Sequence, residues 1–451
     1  MLRRRGREEL SMNDGGGASA RRAVLVDGVR TPFLRAGTGY LRLISYDLAR
    51  AVLAGLVERT GLDAASVEKV VMGAVIQNIR TSNVARDAAL AAGFPNSVPA
   101  HTVTMACISS NQAITSGVES IIAGSANAVV AGGVEVMSDT PPQFDKKARE
   151  RLFEAQSYKS PLEFRKVLRG LSPSELLPKA PTISEYSTGE LMGESADKLA
   201  AAFGVSREEQ DEYALRSHRL AASAAESGRL GEEIMPTTVP PDFEPNTADN
   251  TFRRDSGMEK LGKLPPAFVK PFGTVTAGNS SPLTDGAAAT LIMEESEALE
   301  CGYAPRASVL DHLYVAQDPS EELLLGPAYA TPRLLERNGL TLDDVEVIEI
   351  HEAFAGQVLA VLRALESDRF AREKLGRDER VGEVDMDRVN SWGGSVSLGH
   401  PFGATGSRLV NTAAHRLEEE DGRFALVTAC AAGGLGHAML IERYDDGTGE
   451  G

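Results

Sequence analysis

The stretch Leu56-Val57-Glu58-Arg59-Thr60-Gly61-Leu62 recurs in the second half of the chain as Leu334-Leu335-Glu336-Arg337-Asn338-Gly339-Leu340. At the same spacing beyond each copy, Val67-Glu68, Val70 and Met72 correspond to Val345-Glu346, Ile348 and Ile350. Each copy has the pattern of a helix stopped by glycine, then a short helix, then a buried strand. The repeat therefore predicts two similar α/β halves.

A second unit recurs with a slightly different spacing. A helix predicted from about Ser110 to Ala123 leads into the apolar run 128–132, and one from about Thr405 to Glu418 leads into the run 424–428. Both are helix-to-strand steps typical of a parallel sheet. We expect the two halves to pack with pseudo-twofold symmetry, so that their corresponding loops face each other.

The repeats also define the expected domains. Residues 23–140 together with 273–305 make the first half, and residues 306–446 make the second. Between them, residues 141–272 are rich in proline and charge, which indicates an inserted lid or loop domain. The polar, glycine-rich residues 1–22 are expected to be a disordered lead.

Composition excludes several classes of protein. The chain has 451 residues, of which 42% are hydrophobic, and a net charge of −17, so we expect a globular protein with a large core that does not bind nucleic acid. Three cysteines cannot form a disulfide framework and favour a reducing compartment. We expect a cytoplasmic location, in particular a bacterial cytosol rather than a mitochondrial matrix. The acidic residues Glu8, Glu9 and Asp14 are unusual in a mitochondrial targeting peptide.

Three side chains stand out as chemically reactive. Cys107 and Cys430 lie in turns rich in glycine, serine and alanine, and His400 lies in the glycine-rich loop between them in sequence. Cys107 precedes a predicted helix, whose N-terminal N–H groups are expected to favour the thiolate. His400 is suited to accept the thiol proton and then to donate a hydrogen bond to an oxyanion.

The motifs around these residues resemble those of the thiolase family, in the same order. They comprise the Cys107 turn, Gly278-Asn279-Ser280-Ser281, the box His351-Glu352-Ala353-Phe354, the loop Gly399-His400-Pro401 and the run from Cys430 to Gly436. The residues in and around each motif are most similar to those of the 3-ketoacyl-CoA thiolase branch of the trifunctional fatty-acid oxidation complex. In that branch histidine replaces the commoner asparagine at the start of the third box.

The resemblance implies a layered αβαβα sandwich of duplicated halves and a set of residue roles. Cys107 is the expected nucleophile, His351 helps to form an oxyanion pocket, and Cys430 protonates the departing enolate and then deprotonates the incoming CoA thiol. Glu352 is expected to orient its loop. The backbone N–H groups of Cys107 and Ala432 are expected to form a second oxyanion hole. Contacts to CoA are expected from Phe268, Gly278, Asn279, Ser280 and Ser281.

These roles predict a 3-ketoacyl-CoA thiolase that works by a ping-pong mechanism in fatty-acid β-oxidation. A biosynthetic acetoacetyl-CoA thiolase, a decarboxylating ketoacyl synthase and a non-catalytic lipid-carrier or scaffold protein are the alternatives. CoA and acyl-CoA are substrates, so no cofactor is expected. No metal is expected either, because the sequence shows no cluster with ligand spacing. A homodimer or tetramer is implied by the family.

One segment has no counterpart among these motifs. Residues 146–169 form a basic amphipathic island in an acidic chain. It could contact a membrane surface peripherally, or dock on a hydratase/dehydrogenase partner subunit. The alternative is a solvated helix that packs its apolar side on its own domain.

Overall fold

The computed structural model describes residues 21–160, 163, 167, 170–179 and 183–445. Most of the predicted lead, residues 1–20, and part of the 146–169 island lie outside the described residues. Arg21 and Arg22, at the end of that lead, are described. The guanidinium of Arg21 donates hydrogen bonds to the carbonyls of Ile121 and Ala126, which attaches the start of the chain to the body of the protein.

The described part of the chain alternates strands and helices in the order that the repeats predicted. The strands are β1 Ala23–Arg30, β2 Leu34–Arg35, β3 Lys69–Gly73, β4 Ala100–Val103, β5 Ala128–Val136, β6 Thr237–Thr238, β7 Pro245–Asn246, β8 Thr284–Glu294, β9 Ala307–Ala316, β10 Val347–Ile350, β11 Phe424–Ala431 and β12 Leu435–Arg443. The helices are α1 Ser45–Thr60, α2 Val84–Ala91, α3 Ser109–Ile122, α4 Lys146–Ala155, α5 Pro173–Leu176, α6 Met192–Ala202, α7 Arg207–Glu226, α8 Arg229–Glu233, α9 Met258–Gly262, α10 Glu295–Glu300, α11 Gly326–Asn338, α12 Ala355–Leu365, α13 Asp368–Phe370, α14 Ser395–Leu398 and α15 Thr405–Glu419.

The large sheet is symmetric about its centre. Its strand order is β10-β11-β12-β9-β1-β8-β5-β3-β4, and β1 pairs with β9 at the middle. On one side β3 runs parallel to both β4 and β5, and on the other β10 runs parallel to β11. Val389 makes a parallel bridge to Ile348, at the position that β4 occupies in the first half. The two halves of the sheet therefore correspond strand by strand.

Helices lie between the two halves of this sheet and on the outer face of each half. The helices α3 and α15 share one apolar core with residues from both halves of the sheet, including Leu409 of α15, Val129 of β5 and Val427 of β11. The helices α1 and α2 cover the outer face of the first half, and α11 and α12 cover the outer face of the second. The order of layers is helix, sheet, helix, sheet, helix, which confirms the αβαβα sandwich.

The segment 141–272 contributes α4 to α9 and the small sheet of β6 and β7. Strand β8 follows this segment in the chain, yet it lies between β1 and β5 in the first half of the sheet. Helix α7 packs on α12 and α14, next to the box that begins at His351. Within the described residues, no helix has the length and apolarity needed to cross a bilayer.

Candidate active site

Cys107 lies in a tight turn between β4 and α3. Ala106, just before it, has a φ of 45°, a left-handed conformation that is uncommon for a residue with a side chain and that usually marks strain held by its surroundings. The Ser109 hydroxyl closes the turn, because it accepts from the Met105 N–H and donates to the Ala106 carbonyl. The turn presents the Cys107 sulfur at the N-terminal end of α3, as expected.

Burial controls the protonation state of Cys107. Burial raises the pKa of the thiol to about 11, although the backbone N–H groups of Ala432 and Cys107 face the sulfur and lower it. The negative charge of Glu135 raises this pKa further. The backbone N–H groups thus favour the thiolate, but desolvation outweighs them, so Cys107 is a thiol at rest. Attack by Cys107 requires a base that removes the proton.

His400 is placed to be that base. Its Nδ1 lies 2.6 Å from the Thr405 hydroxyl, which itself donates to the carbonyl of Pro401 at 3.2 Å. A hydroxyl has one hydrogen, and with that hydrogen on Pro401 we assign Thr405 as the acceptor from an N–H at His400 Nδ1. This leaves a lone pair on His400 Nε2. Burial, together with the neighbouring His351 and Arg408, holds the pKa of His400 well below its usual value, so the ring is neutral at rest.

We assign the opposite tautomer to His351, because its hydroxyl partner has a hydrogen available to donate. It follows β10 directly, and its Nδ1 lies 2.9 Å from the Ser395 hydroxyl. Arg408, which can only donate, reaches the same hydroxyl oxygen at 3.3 Å, so the Ser395 hydrogen is free to bond His351 Nδ1. The ring proton is then on Nε2. Burial lowers the pKa of His351 to about 3, so this imidazole is a neutral hydrogen-bond donor.

The three reactive atoms converge on one point. The Cys107 sulfur and one ring nitrogen from each of His351 and His400 all lie within 4.8 Å of one another. The two imidazole rings are 4.1 Å apart between centroids. Within the described part of the chain, Nε2 of each ring is buried and has no hydrogen-bond partner. The structure thus brings together a thiol, an imidazole acceptor and an imidazole donor that are far apart in sequence.

Cys430 lies near the end of β11 and is buried. Burial raises the pKa of its thiol far above the ordinary value, and the charge of a deprotonated Cys107 raises it further. Cys430 is therefore a thiol at rest, suited first to give a proton to a carbanion formed beside it.

Two buried carboxylates hold the loops of this site. Glu352 accepts from Tyr213 and Ser217 of α7, from Asn390 and from the N–H of Val396, so it orients its loop as expected. The sequence analysis did not identify the other carboxylate, Glu135.

Glu135 is the penultimate residue of the apolar strand β5 and accepts from the backbone N–H groups of Val75, Ile76 and Gly403. The third of these bonds attaches the loop that carries His400. Gly133 is needed beside it, because a Cβ there would lie 1.8 Å from the Gly403 carbonyl oxygen.

Four of the residues predicted to contact CoA form one loop, Gly278 to Ser281, and the fifth, Phe268, packs beside it. This loop lies between the His351 box and the His400 loop, because Ser280 bridges Phe354 and Leu283 bridges His400. Asn279 is fully buried, and its amide bonds Asp211 and the backbone of Thr274 and Thr276. The Asn279 side chain therefore holds the loop in shape, and contact of the Asn279 backbone with CoA stays a prediction.

The other four predicted CoA residues remain beside this loop. Phe268 is partly buried and packs edge-on against Phe354 with ring centroids 5.9 Å apart. The Ser280 hydroxyl donates to the Thr276 carbonyl, and the Ser281 N–H donates to the Ala353 carbonyl. Gly278 packs against Leu264, which a Cβ would approach to 2.5 Å. Contact of these residues with CoA stays a prediction.

The sequence analysis missed the residues that set the two tautomers. Thr405 lies only five residues beyond His400, at the start of α15, and that short spacing was an available signal. Ser395 and the Glu349–Arg408 ion pair, 3.2 Å long and fully buried, gave no local signal. They reach His351 only through the packing of α14 and α15 on β10.

Comparison with known proteins finds matches along most of the chain. Residues 23–296 match the model of the thiolase N-terminal domain, and residues 303–443 match that of the thiolase C-terminal domain. The chain is 54% identical to the mitochondrial trifunctional enzyme subunit beta of Homo sapiens, over 94% of this chain and 89% of that protein. It is 44% identical to the 3-ketoacyl-CoA thiolase of Yersinia pestis, over 93% of this chain and 97% of that protein.

Solved structures show the same fold. The acetyl-CoA acetyltransferase of Bacillus anthracis superposes with a TM-score of 0.82 at 34% identity, covering 94% of this chain and 99% of that one. Human mitochondrial 3-ketoacyl-CoA thiolase superposes with a TM-score of 0.81 at 30% identity, covering 95% of this chain and 100% of that one.

Proposed function

This chain belongs to the thiolase family, and from that premise we propose that it is an acyltransferase that cleaves 3-ketoacyl-CoA with CoA in fatty-acid β-oxidation. The products are acetyl-CoA and an acyl-CoA shortened by two carbons. The observation that carries the proposal is the convergence of the Cys107 sulfur with a free acceptor on His400 and a free donor on His351.

In the first half-reaction, His400 Nε2 removes the Cys107 proton and the sulfur attacks the 3-keto carbon. The oxyanion that forms accepts hydrogen bonds from His351 Nε2–H and from the newly protonated His400. Collapse of this intermediate breaks the bond between carbons 2 and 3 and leaves the acyl group on Cys107. The carbanion of acetyl-CoA takes its proton from Cys430, whose raised pKa makes the resulting thiolate a strong base.

In the second half-reaction, the Cys430 thiolate removes the proton of the incoming CoA thiol. The CoA sulfur then attacks the thioester on Cys107. Here the oxyanion is held by the backbone N–H groups of Cys107 and Ala432, which face the Cys107 sulfur. Loss of the Cys107 sulfur releases the shortened acyl-CoA, and the proton on His400 returns to Cys107. The cycle restores every proton.

Mass spectrometry of the enzyme after incubation with a 3-ketoacyl-CoA, without free CoA, tests this mechanism. We expect a single acyl adduct on Cys107, which disappears when CoA is added, and no adduct in Cys107→Ala. An adduct on Cys430, or turnover with Cys107 unmodified, would contradict the mechanism.

Substrate length separates the degradative role from that of a biosynthetic acetoacetyl-CoA thiolase. The relatives named trifunctional enzyme subunit beta and 3-ketoacyl-CoA thiolase support the degradative role. We expect kcat/KM for thiolysis to rise from acetoacetyl-CoA to 3-ketohexadecanoyl-CoA. A maximum at acetoacetyl-CoA would favour the biosynthetic alternative.

Helix α4 supports a docking role for the described part of the 146–169 island. Its buried residues are the small Ala148 and Ala155, whereas Leu152 and Phe153 are 44% and 74% exposed. This distribution is opposite to that of a helix packing its apolar side on its own domain. We propose that α4 contacts a membrane surface or a hydratase/dehydrogenase partner, since relatives are named subunits of a trifunctional enzyme.

Vesicle and partner binding test the docking proposal. Phe153→Ser together with Leu152→Ser should reduce binding to anionic phospholipid vesicles or to a purified hydratase/dehydrogenase subunit, with acetoacetyl-CoA thiolysis retained. Leu299→Ser, which also changes an exposed leucine, is the matched control. Equal binding by both variants would rule out docking through α4.

Assembly and compartment are proposed on separate grounds. We propose a homodimer or tetramer, which light scattering coupled to gel filtration measures directly. We propose a cytosolic location, supported by three free cysteines, one of which is the nucleophile. Cell fractionation with antibody detection tests that location, and recovery in an organelle or membrane fraction would contradict it.

A further inference from the structure

The reactive centre also has the composition of a soft-metal site. One thiol sulfur and two imidazole nitrogens form a ligand set that Zn²⁺ prefers, and here they lie within 4.8 Å of one another. In a tetrahedral zinc site the same atoms are roughly 3.3–3.6 Å apart, as bond lengths of about 2.0 and 2.3 Å require. Side-chain movements of about 1 Å would therefore bring the three atoms into coordination distance.

Both imidazoles already have the hydrogen-bond partner on Nδ1 that metal-binding histidines usually have. Each has its Nδ1 held by a hydroxyl, Ser395 for His351 and Thr405 for His400. Such partners orient a metal-binding imidazole and direct Nε2 to the ion. For His351 the ring proton must move from Nε2 to Nδ1, where the Ser395 oxygen can accept it.

Three further observations indicate that an ion can be accommodated. Among the described residues neither Nε2 has a protein partner, so no existing hydrogen bond must be broken. The nearest buried cation, Arg408, is paired with Glu349, and this pairing offsets its charge. Cys107 is only partly buried, so the centre can be reached from outside.

We propose that Cys107, His351 and His400 bind one Zn²⁺ ion, with water as the fourth ligand, and that this binding reversibly inhibits the enzyme. The Cys107 thiol releases its proton to solvent as the Zn–S bond forms, so the nucleophile and the base are both occupied. The proposal goes beyond the thiolase activity, because metal binding is measured without any acyl substrate.

Titration of the metal-free enzyme with Co²⁺, a spectroscopic substitute for Zn²⁺, tests the ligand set. We expect one ion per chain, with the intense visible bands of a tetrahedral site and a thiolate-to-cobalt charge-transfer band. Cys107→Ser should abolish the charge-transfer band. His351→Asn and His400→Asn should each weaken Zn²⁺ affinity by at least about tenfold. Thermal melting of each variant shows whether it is folded.

Cys301→Ser is the matched control, because Cys301 is exposed beside Glu297 and could bind Zn²⁺ adventitiously. In this variant the Co²⁺ spectrum should be unchanged. Zn²⁺ should also protect Cys107 from iodoacetamide, and a chelator should restore both labelling and thiolysis. Loss of the spectrum in Cys301→Ser, or its persistence in Cys107→Ser, would overturn the proposal. Metal binding by an enzyme that shows no thiolysis would contradict the proposed function and leave the metal site in place.

Discussion

The two imidazoles of this site have different hydroxyl partners, and this difference gives them different chemistry. Thr405 accepts from His400 and leaves Nε2 as a base, whereas Ser395 donates to His351 and leaves Nε2–H as a donor. Both rings are neutral because burial opposes their protonation. In the proposed mechanism, histidine in place of asparagine therefore still supplies a donor to the oxyanion.

Replacement of Thr405 tests the base. Thr405→Val keeps the shape but removes the acceptor for His400 Nδ1–H, so kcat should fall on the order of 100-fold with KM little changed. Thr405→Ser keeps the hydroxyl and should restore most of the activity. Steady-state kinetics with acetoacetyl-CoA measure both variants, and equal activities would show that the hydroxyl does not set the tautomer.

Replacement of Ser395 tests the donor. Ser395→Ala removes the hydroxyl between Arg408 and His351, so kcat should fall on the order of tenfold, less than for loss of an oxyanion donor itself. Ser397→Ala is the matched control, because the Ser397 hydroxyl contacts Ser217 and Gly394 and not His351. The same loss in both variants would indicate damage to α14 rather than to His351.

The raised pKa of Cys107 predicts how its alkylation depends on pH. Below a pKa of about 11 the thiolate fraction increases with pH, so the iodoacetamide rate constant should rise about tenfold per pH unit from pH 7 to 10. Peptide mass spectrometry at Cys107 measures this rate, with N-acetylcysteine as the reference thiol. A plateau near pH 8 would show that burial does not control this thiol.

At the level of elements, hydrogen bonds to two buried carboxylates hold the reactive loops in position. Glu352 joins α7 to the start of α14, and Glu135 joins β5 to the His400 loop. Regular elements thus support the loops that carry His351 and His400.

Replacement of Glu352 tests this support. In Glu352→Gln an amide N–H₂ group faces donors, so the free energy of unfolding should fall by roughly 3 kcal/mol. Glu373→Gln removes an exposed carboxylate paired with Arg369 and should change it by less than about 0.5 kcal/mol. Chemical denaturation measures both variants, and similar values would mean that Glu352 does not hold these elements together.

At the level of the whole molecule, one core joins the two halves. Leu409 of α15 is fully buried in the cluster that includes β5 and β11. Leu409→Ala should lower the free energy of unfolding by about 3 kcal/mol, against about 0.5 kcal/mol or less for the half-exposed Leu299→Ala.

Hydrogen exchange distinguishes a shared core from two separate ones. In Leu409→Ala the amides of β5 and β11 should lose protection together, because both strands pack on the same layer of helices. Loss confined to β11 would show that the halves unfold independently.

The amino-acid sequence by itself determined the duplicated fold and the identity of the reactive residues. The repeat around Leu56 and Leu334 encodes matching helix-to-strand steps, and the Cys107, His400 and Cys430 turns have a local composition that marks them. Tertiary structure alone decided the protonation states, the opposite tautomers and the engagement of Asn279 within the protein. These properties depend on burial and on which hydroxyl, carboxylate or N–H faces each group, and those partners come from distant parts of the chain.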